Sequence, residues 1–132
     1  MVAHLPVSPW RSPALDPAWI RRRLARELGG QRRDRPRVAT VEILYARARP
    51  AQTTLVYRAA LRTPGNGTVD QLYSGHVVAP RRFTRRLAEL RAAVRVEPAF
   101  GRALIPLRSA GLVLLAYPND ARLAPPTRSA AG

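Results

Sequence analysis

The sequence predicts an α+β domain in which a five-stranded antiparallel sheet packs against one helix and follows an N-terminal helix. Two segments carry apolar residues at every third or fourth position, the spacing of a helix that buries one side. Three segments alternate apolar and polar residues, and two shorter apolar runs follow, as expected for five strands. Turns rich in proline and glycine connect neighbouring strands and favour antiparallel pairing. A chain of 132 residues, 46% of them hydrophobic, is sufficient for one domain with a core.

The first helix is predicted to begin at Asp16-Pro17. An aspartate side chain accepts hydrogen bonds from the free amides at a helix start, and proline fits the first helical position. The residues expected on its buried side are Ile20, Leu24 and Leu28. Gly29-Gly30 is expected to end the helix, because glycine readily adopts the left-handed backbone conformation found there.

The next three elements are predicted strands at Val38–Arg49, Thr53–Arg62 and Val69–Val78. Because alternate residues of a strand face the same side, two sets of side chains are expected to point into the core. They are Val41, Ile43 and Tyr45 in the first strand, and Leu55, Tyr57, Ala59 and Leu61 in the second. Short turns at Pro50–Gln52 and Pro64–Gly67 make these strands an antiparallel meander.

The second helix is predicted from Pro80 to about Ala93, because proline is favoured in the first helical turn. The residues expected on its buried side are Phe83, Leu87 and Leu90. Two short strands follow, at Arg102–Leu107 and Leu112–Tyr117, and complete the sheet. One face of the sheet is expected to pack against this helix.

The domain is expected to span residues 16–123, after an irregular arm at 1–15 and before a disordered tail at 124–132. Prolines interrupt the arm repeatedly, and the tail has few residues to bury. The sequence contains no run of roughly 18 apolar residues, the length that a membrane span needs. The start also lacks the apolar segment of a signal peptide. We therefore expect a cytoplasmic protein with no membrane partner.

Charge is the most unusual property of the composition, since the net charge is +15 and all 23 basic residues are arginine. Such a balance indicates nucleic acid, another polyanion or a phosphorylated ligand as a partner. Codon bias is an alternative explanation, because alanine, arginine, proline and glycine all have GC-rich codons. The candidate polyanion patch on the second helix consists of Arg81, Arg82, Arg85 and Arg86. Such guanidinium groups bind phosphate oxygens weakly and in a salt-sensitive way.

No complete catalytic set or metal site is apparent in the sequence. Without cysteine there are no thiolate ligands, and His4 and His76 lack metal-ligand spacing. Ser74 and His76 share one side of a strand without a partner acid, so we interpret this histidine as structural. Three tyrosines would stack nucleic-acid bases only on an exposed side of the sheet, and their apolar neighbours predict a buried one. These are Tyr45, Tyr57 and Tyr73.

Four short segments carry a resemblance to a known family. They are LYARARP (Leu44–Pro50), TTLVYRAAL (Thr53–Leu61), LYSGH (Leu72–His76) and LLAYPNDARL (Leu114–Leu123). Together with the order of three strands, a helix and two strands, they resemble the N-terminal lobe of aminoglycoside phosphotransferase-like proteins, which is kinase-like. The similarity extends from about Asp16 to Leu123. It implies a nucleotide-binding lobe whose candidate hinge is Tyr117, Asn119 and Asp120.

The resemblance also implies functional positions within the lobe. In kinase-like enzymes a lysine on the third strand holds the nucleotide phosphates and pairs with a helix glutamate. This sequence has no lysine, and the corresponding position falls near Gly75. Arg47 and Arg49, beside a turn without glycine, and Glu89 on the second helix are the candidate phosphate or nucleotide contacts. The structural alternative for Glu89 is an ion pair with an arginine one turn away.

The kinase aspartate and magnesium ligands belong to a C-terminal lobe that this sequence does not include. We therefore expect a truncated or orphan phosphotransferase lobe that is not catalytic by itself. ATP and magnesium are expected only if a C-terminal lobe is supplied separately. Two alternatives stay open: a small arginine-rich module that binds nucleic acid or another polyanion, and a protein-interaction domain.

Overall fold

The computed structural model describes residues 12–28, 36–65 and 67–117. Over these residues the chain forms two α-helices and five strands in the predicted order. They are α1 (Pro17–Leu28), β1 (Arg37–Ala48), β2 (Gln52–Thr63), β3 (Gly67–Val78), α2 (Pro80–Ala93), β4 (Leu104–Leu107) and β5 (Leu112–Ala116). Neither helix of this described part is long and apolar enough to cross a membrane. The predicted α+β class with five antiparallel strands is confirmed.

The five strands form one sheet in the order β1-β2-β3-β5-β4, and every neighbouring pair is antiparallel. The β1–β2 hairpin closes through two backbone hydrogen bonds between Arg49 and Gln52, with the shorter one at 2.9 Å. The β2–β3 turn uses Gly65 and Gly67, whose φ angles of 77° and 78° favour glycine. Pro106 lies in β4, an edge strand, where a missing amide is tolerated.

One side of the sheet is covered by α1. As predicted, Asp16 caps this helix, since its Oδ1 accepts a hydrogen bond from the Ala18 amide at 3.0 Å. The predicted residues Ile20, Leu24 and Leu28 are buried against the sheet. Pro13–Leu15 forms a 3-10 turn, within the arm that we expected to be irregular. Tyr57 Oη donates to the Ala14 carbonyl at 2.6 Å, so this turn is joined to the core.

The other side of the sheet is covered only in part, by α2. The predicted residues Phe83, Leu87 and Leu90 are buried as expected. They pack in one cluster with residues of β3, β4 and β5: Val78, Leu104, Val113 and Leu115. The two helices therefore cover opposite sides of the sheet, and the larger core lies under α1.

The prediction that Tyr45 points into the core is wrong. The register pairs Ile43 with Tyr57 but Tyr45 with Val56, so β1 carries one extra residue at Leu44. Such a β-bulge reverses the alternation of side chains beyond it. Ile43 keeps its contact with the core under α1, whereas Tyr45 faces the α2 side and is 47% exposed.

Candidate functional site

Beside α2, part of the sheet surface has no helix over it. The apolar cluster under α2 includes residues of β3, β4 and β5, and its described members include none from β1 or β2. We call the uncovered surface the open face. It consists of Tyr45 and Arg47 from β1, Val56 and Arg58 from β2, and Leu72 from β3. Tyr45 and Arg47 are exposed and the other three are half-buried, so a ligand can reach this surface.

A cleft of about 390 Å³ lies between the β1–β2 turn and α2. We call it the arginine cleft. Its sheet wall is formed by Ala51, Gln52 and Val78, and its helix wall by Arg82, Arg85, Arg86 and Glu89. The helix residues are three and four positions apart, a spacing that places them on one side of α2. The volume is within the range of small-ligand sites.

The helix wall of the cleft is positively charged. Arg86 Nη1 donates to Glu89 Oε1 at 2.9 Å, which confirms the structural alternative given for Glu89. Within the part of the chain that the structure describes, Arg82 and Arg85 form no ion pair. Arg86 Nε is buried and has no hydrogen-bond partner among the same residues. Three guanidinium groups and one carboxylate leave this wall with an excess of two positive charges.

Hydrogen bonds within the sheet fix the opposite wall. Gln52 Nε2 lies 3.1 Å from Thr54 Oγ1 and 3.3 Å from His76 Nδ1. Ser74 Oγ lies 3.2 Å from His76 Nε2 and donates to the Leu115 carbonyl. With a proton on Nε2 and none on Nδ1, His76 accepts from Gln52 and donates to Ser74. Such a buried histidine positions Gln52, which agrees with the structural interpretation of His76 and Ser74.

The third strand turns Gly75 away from the cleft. A Cβ atom at this position would lie 2.7 Å from Tyr57 Cε2 and 3.1 Å from Leu112 Cδ1, both in the core under α1. A lysine here would therefore enter the core. The neighbouring residues Ser74 and His76 lie on the α2 side instead, opposite Leu115 and Val113.

The structure places the three predicted phosphate contacts in three places: the arginine cleft, the open face and the β1–β2 turn. Glu89 lines the arginine cleft. Arg47 is exposed and pairs with Thr54 on the open face. Arg49 is exposed at the start of the β1–β2 turn, where its backbone bonds to Gln52.

The predicted patch on α2 is divided by the structure. Arg82, Arg85 and Arg86 line the cleft, whereas Arg81 is exposed outside its lining. In the candidate hinge, the amide of Tyr117 donates to the Leu72 carbonyl at 2.9 Å and continues the β5 pairing. The other two hinge residues, Asn119 and Asp120, lie outside the described residues, as do Gly29-Gly30 and the tail at 124–132.

The three tyrosines do not form a stacking platform. Tyr57 and Tyr73 are fully buried under α1, as their apolar neighbours predicted, while Tyr45 is on the other side of the sheet. Burial raises the pKa of the Tyr57 hydroxyl above its usual range. Burial also raises the pKa of Tyr73, to about 12, against a smaller opposing effect of the hydrogen bond from Gln71.

Several other arginines have structural roles. Arg58 donates to Glu42, and Arg102 donates to Glu27 at 2.9 Å. Two more lie over aromatic rings: Arg108 is 4.5 Å from the ring centre of Phe83, and Arg23 is 5.4 Å from that of Trp19. Such contacts stabilise the fold to a small extent. These contacts distinguish the four arginines from Arg82 and Arg85 of the cleft, which form no ion pair within the described residues.

Sequence reasoning missed the sheet wall of the cleft. Gln52 is the first residue of β2 and pairs with Val78, the last residue of β3. The hairpin spacing was a usable signal, because it brings the start of β2 next to the residues that precede α2. Its proximity to the α2 arginines depends on the angle at which the helix packs, which periodicity does not report.

Comparisons of the chain with protein-family models, curated proteins and solved structures found no match. Among the described residues, no group of three histidine, aspartate or glutamate side chains is placed to hold a metal ion. The open face and the arginine cleft are two accessible features of the described surface that carry polar groups.

Proposed function

We propose that this domain is a phosphotransferase-like N-terminal lobe that binds a nucleotide on the open face and catalyses only together with a second lobe. The observation that carries the proposal is the half-covered sheet. The helix α2 packs over β3, β5 and β4, and leaves the open face exposed. Kinase-like lobes likewise carry a helix beside the strands that hold the nucleotide. The element order and the four resembling segments support the same assignment.

The open face offers suitable contacts for a nucleotide. Val56 and Leu72 provide half-buried apolar surface for a base, with Tyr45 at its margin. Arg47 and Arg49 approach the turn end of this surface, and each guanidinium can donate two hydrogen bonds to one phosphate. Because Glu89 pairs with Arg86 on its own helix, the proposal assigns the phosphate contacts to Arg47 and Arg49.

The proposal assigns the catalytic aspartate and the magnesium ligands to a second lobe or partner chain, as the resemblance implies. Two carboxylates, Glu42 beside the open face and Glu89 in the arginine cleft, are already engaged, by Arg58 and by Arg86. Their role in the proposal is to position arginines. The proposal also places the domain in the cytoplasm, where ATP is available.

A titration of the purified chain with ATP, followed by backbone amide NMR, tests the proposal. We expect chemical-shift changes at Val56, Leu72 and Arg47, and about a fivefold to tenfold weaker affinity in Arg47→Gln, the loss of one charge-assisted contact. The control is Arg62→Gln, since Arg62 is an exposed arginine at the far end of the same strand pair. If ATP caused no chemical-shift changes on the open face, nucleotide binding there would be refuted. Phosphate transfer by this chain alone would refute the need for a second lobe.

The alternative of a polyanion-binding module is favoured by the exposed arginines at the start of α2. It predicts that single-stranded DNA and RNA both bind, with affinity that falls steeply as salt is raised. It also predicts that Arg81 contributes as much as its neighbour Arg82, because a flexible polyanion contacts the whole exposed helix end. Under the phosphotransferase proposal, nucleic acid does not compete with ATP for the open face.

A further inference from the structure

We infer that the arginine cleft binds a phosphate dianion, either free phosphate or the terminal group of a phosphomonoester. The inference goes beyond the nucleotide lobe proposed above and does not require it. Its first support is charge balance. Arg82, Arg85 and Arg86 against Glu89 leave two positive charges, and a phosphomonoester carries about −1.5 to −2 at neutral pH.

The arrangement of the arginines is the second support. Arg82 and Arg85 are one helical turn apart on the same wall, and neither has an ion pair within the described residues. Arg86 is oriented by Glu89, so it is held at the cleft before a ligand arrives. A guanidinium that is already oriented loses less side-chain freedom on binding.

The buried Nε of Arg86 is the third support. Buried donors are nearly always hydrogen-bonded, because leaving one unsatisfied is unfavourable. This atom has no acceptor among the described residues. An anion in the cleft introduces oxygen acceptors on the wall that Arg86 helps to form. The sheet wall of Ala51, Gln52 and Val78 contains no carboxylate that would repel it.

The same features favour a monoester over a phosphodiester backbone. A diester carries one negative charge per phosphate and matches only half of the excess charge. A nucleic-acid backbone would also contact Arg81, which is exposed on the same helix but outside the cleft lining. Arg81 is thus a matched control for Arg82, with the same side chain on the same helical turn.

Isothermal titration of the full chain with inorganic phosphate, phenyl phosphate and dimethyl phosphate tests the inference. We expect the two dianions to bind at least about tenfold more tightly than the monoanionic diester, which corresponds to about 1.4 kcal/mol. Arg82→Gln and Arg85→Gln are each expected to weaken phosphate binding about tenfold or more. Arg81→Gln is expected to change it less than about twofold. If inorganic phosphate binds and phenyl phosphate does not, the site accepts only the free ion.

Equal losses in Arg81→Gln and Arg82→Gln, or equal binding of dimethyl phosphate, would overturn the inference in favour of a diffuse polyanion surface. The three substituted residues, Arg81, Arg82 and Arg85, are exposed, so circular dichroism is expected to show that the variants fold normally. The two proposals fail separately. If phosphate binds with this variant pattern and ATP causes no shifts on the open face, only the proposed nucleotide lobe is refuted. If ATP causes shifts on the open face and phosphate does not bind, only the proposed phosphate site in the cleft is refuted.

Discussion

The two sides of the sheet differ in how completely they are closed. The α1 side has a cluster of sixteen buried residues drawn from all five strands, α1 and the preceding 3-10 turn. The α2 side has a cluster of seven, from three strands and α2, and the open face beside it is exposed or half-buried. Because buried apolar area provides most of the stability of a domain, the α1 side mainly stabilises the fold. The α2 side retains surface on which arginines can meet a ligand.

The largest expected difference between the two sides is the cost of removing a leucine. Leu55→Ala is expected to lower the free energy of unfolding by about 3–4 kcal/mol, because Leu55 is fully buried under α1 and leaves a cavity. Leu72→Ala on the open face is expected to cost about 1 kcal/mol, since Leu72 is half-buried. Urea unfolding of both variants measures the two values. Similar losses would mean that the open face is as important for stability as the core.

The second-largest expected effect is a loss of stability at high pH, which arises on the α1 side. The pKa of Tyr73 is raised to about 12 and that of Tyr57 is also raised, so the unfolded chain loses these protons at lower pH than the folded one. Their contribution to stability is complete below about pH 10 and is lost as the pH rises towards 12. Urea unfolding across this range measures the decline, and Tyr73→Phe is expected to reduce it. A constant stability up to pH 12 would contradict burial of these hydroxyls.

The smallest expected effect compares one hydroxyl on each side. Tyr57→Phe is expected to cost about 1–2 kcal/mol, because the buried Ala14 carbonyl loses its donor. Tyr45→Phe is the matched control on the α2 side, and it is expected to change stability by less than about 0.5 kcal/mol since Tyr45 is exposed. Thermal unfolding of the two variants makes the comparison. A neutral Tyr57→Phe would show that the 3-10 turn is not tied to the core through this bond.

Local sequence signals predicted most of the fold. Asp16-Pro17 marked the start of α1, and the alternation in β2 identified the side that the structure buries. Each signal arises within one element, from capping, spacing or turn geometry, so it can be recognised in a single sequence. The bulge at Leu44 was not predictable in this way, because register depends on the neighbouring strand. The candidate site was predicted in part: Glu89 and three of the four arginines lie together, while Gln52 was missed.

By itself, the sequence determined the order and type of the elements, the buried stripes of both helices and the excess of arginine. These features follow from contacts between residues a few positions apart, or from composition alone. Tertiary structure decided which side of the sheet each helix covers, that Gly75 faces Tyr57 and that the α2 arginines face Gln52. The reason is that alternation assigns a residue to one of two sides without stating what covers either. Only packing across the sheet makes one side a core and the other a cleft.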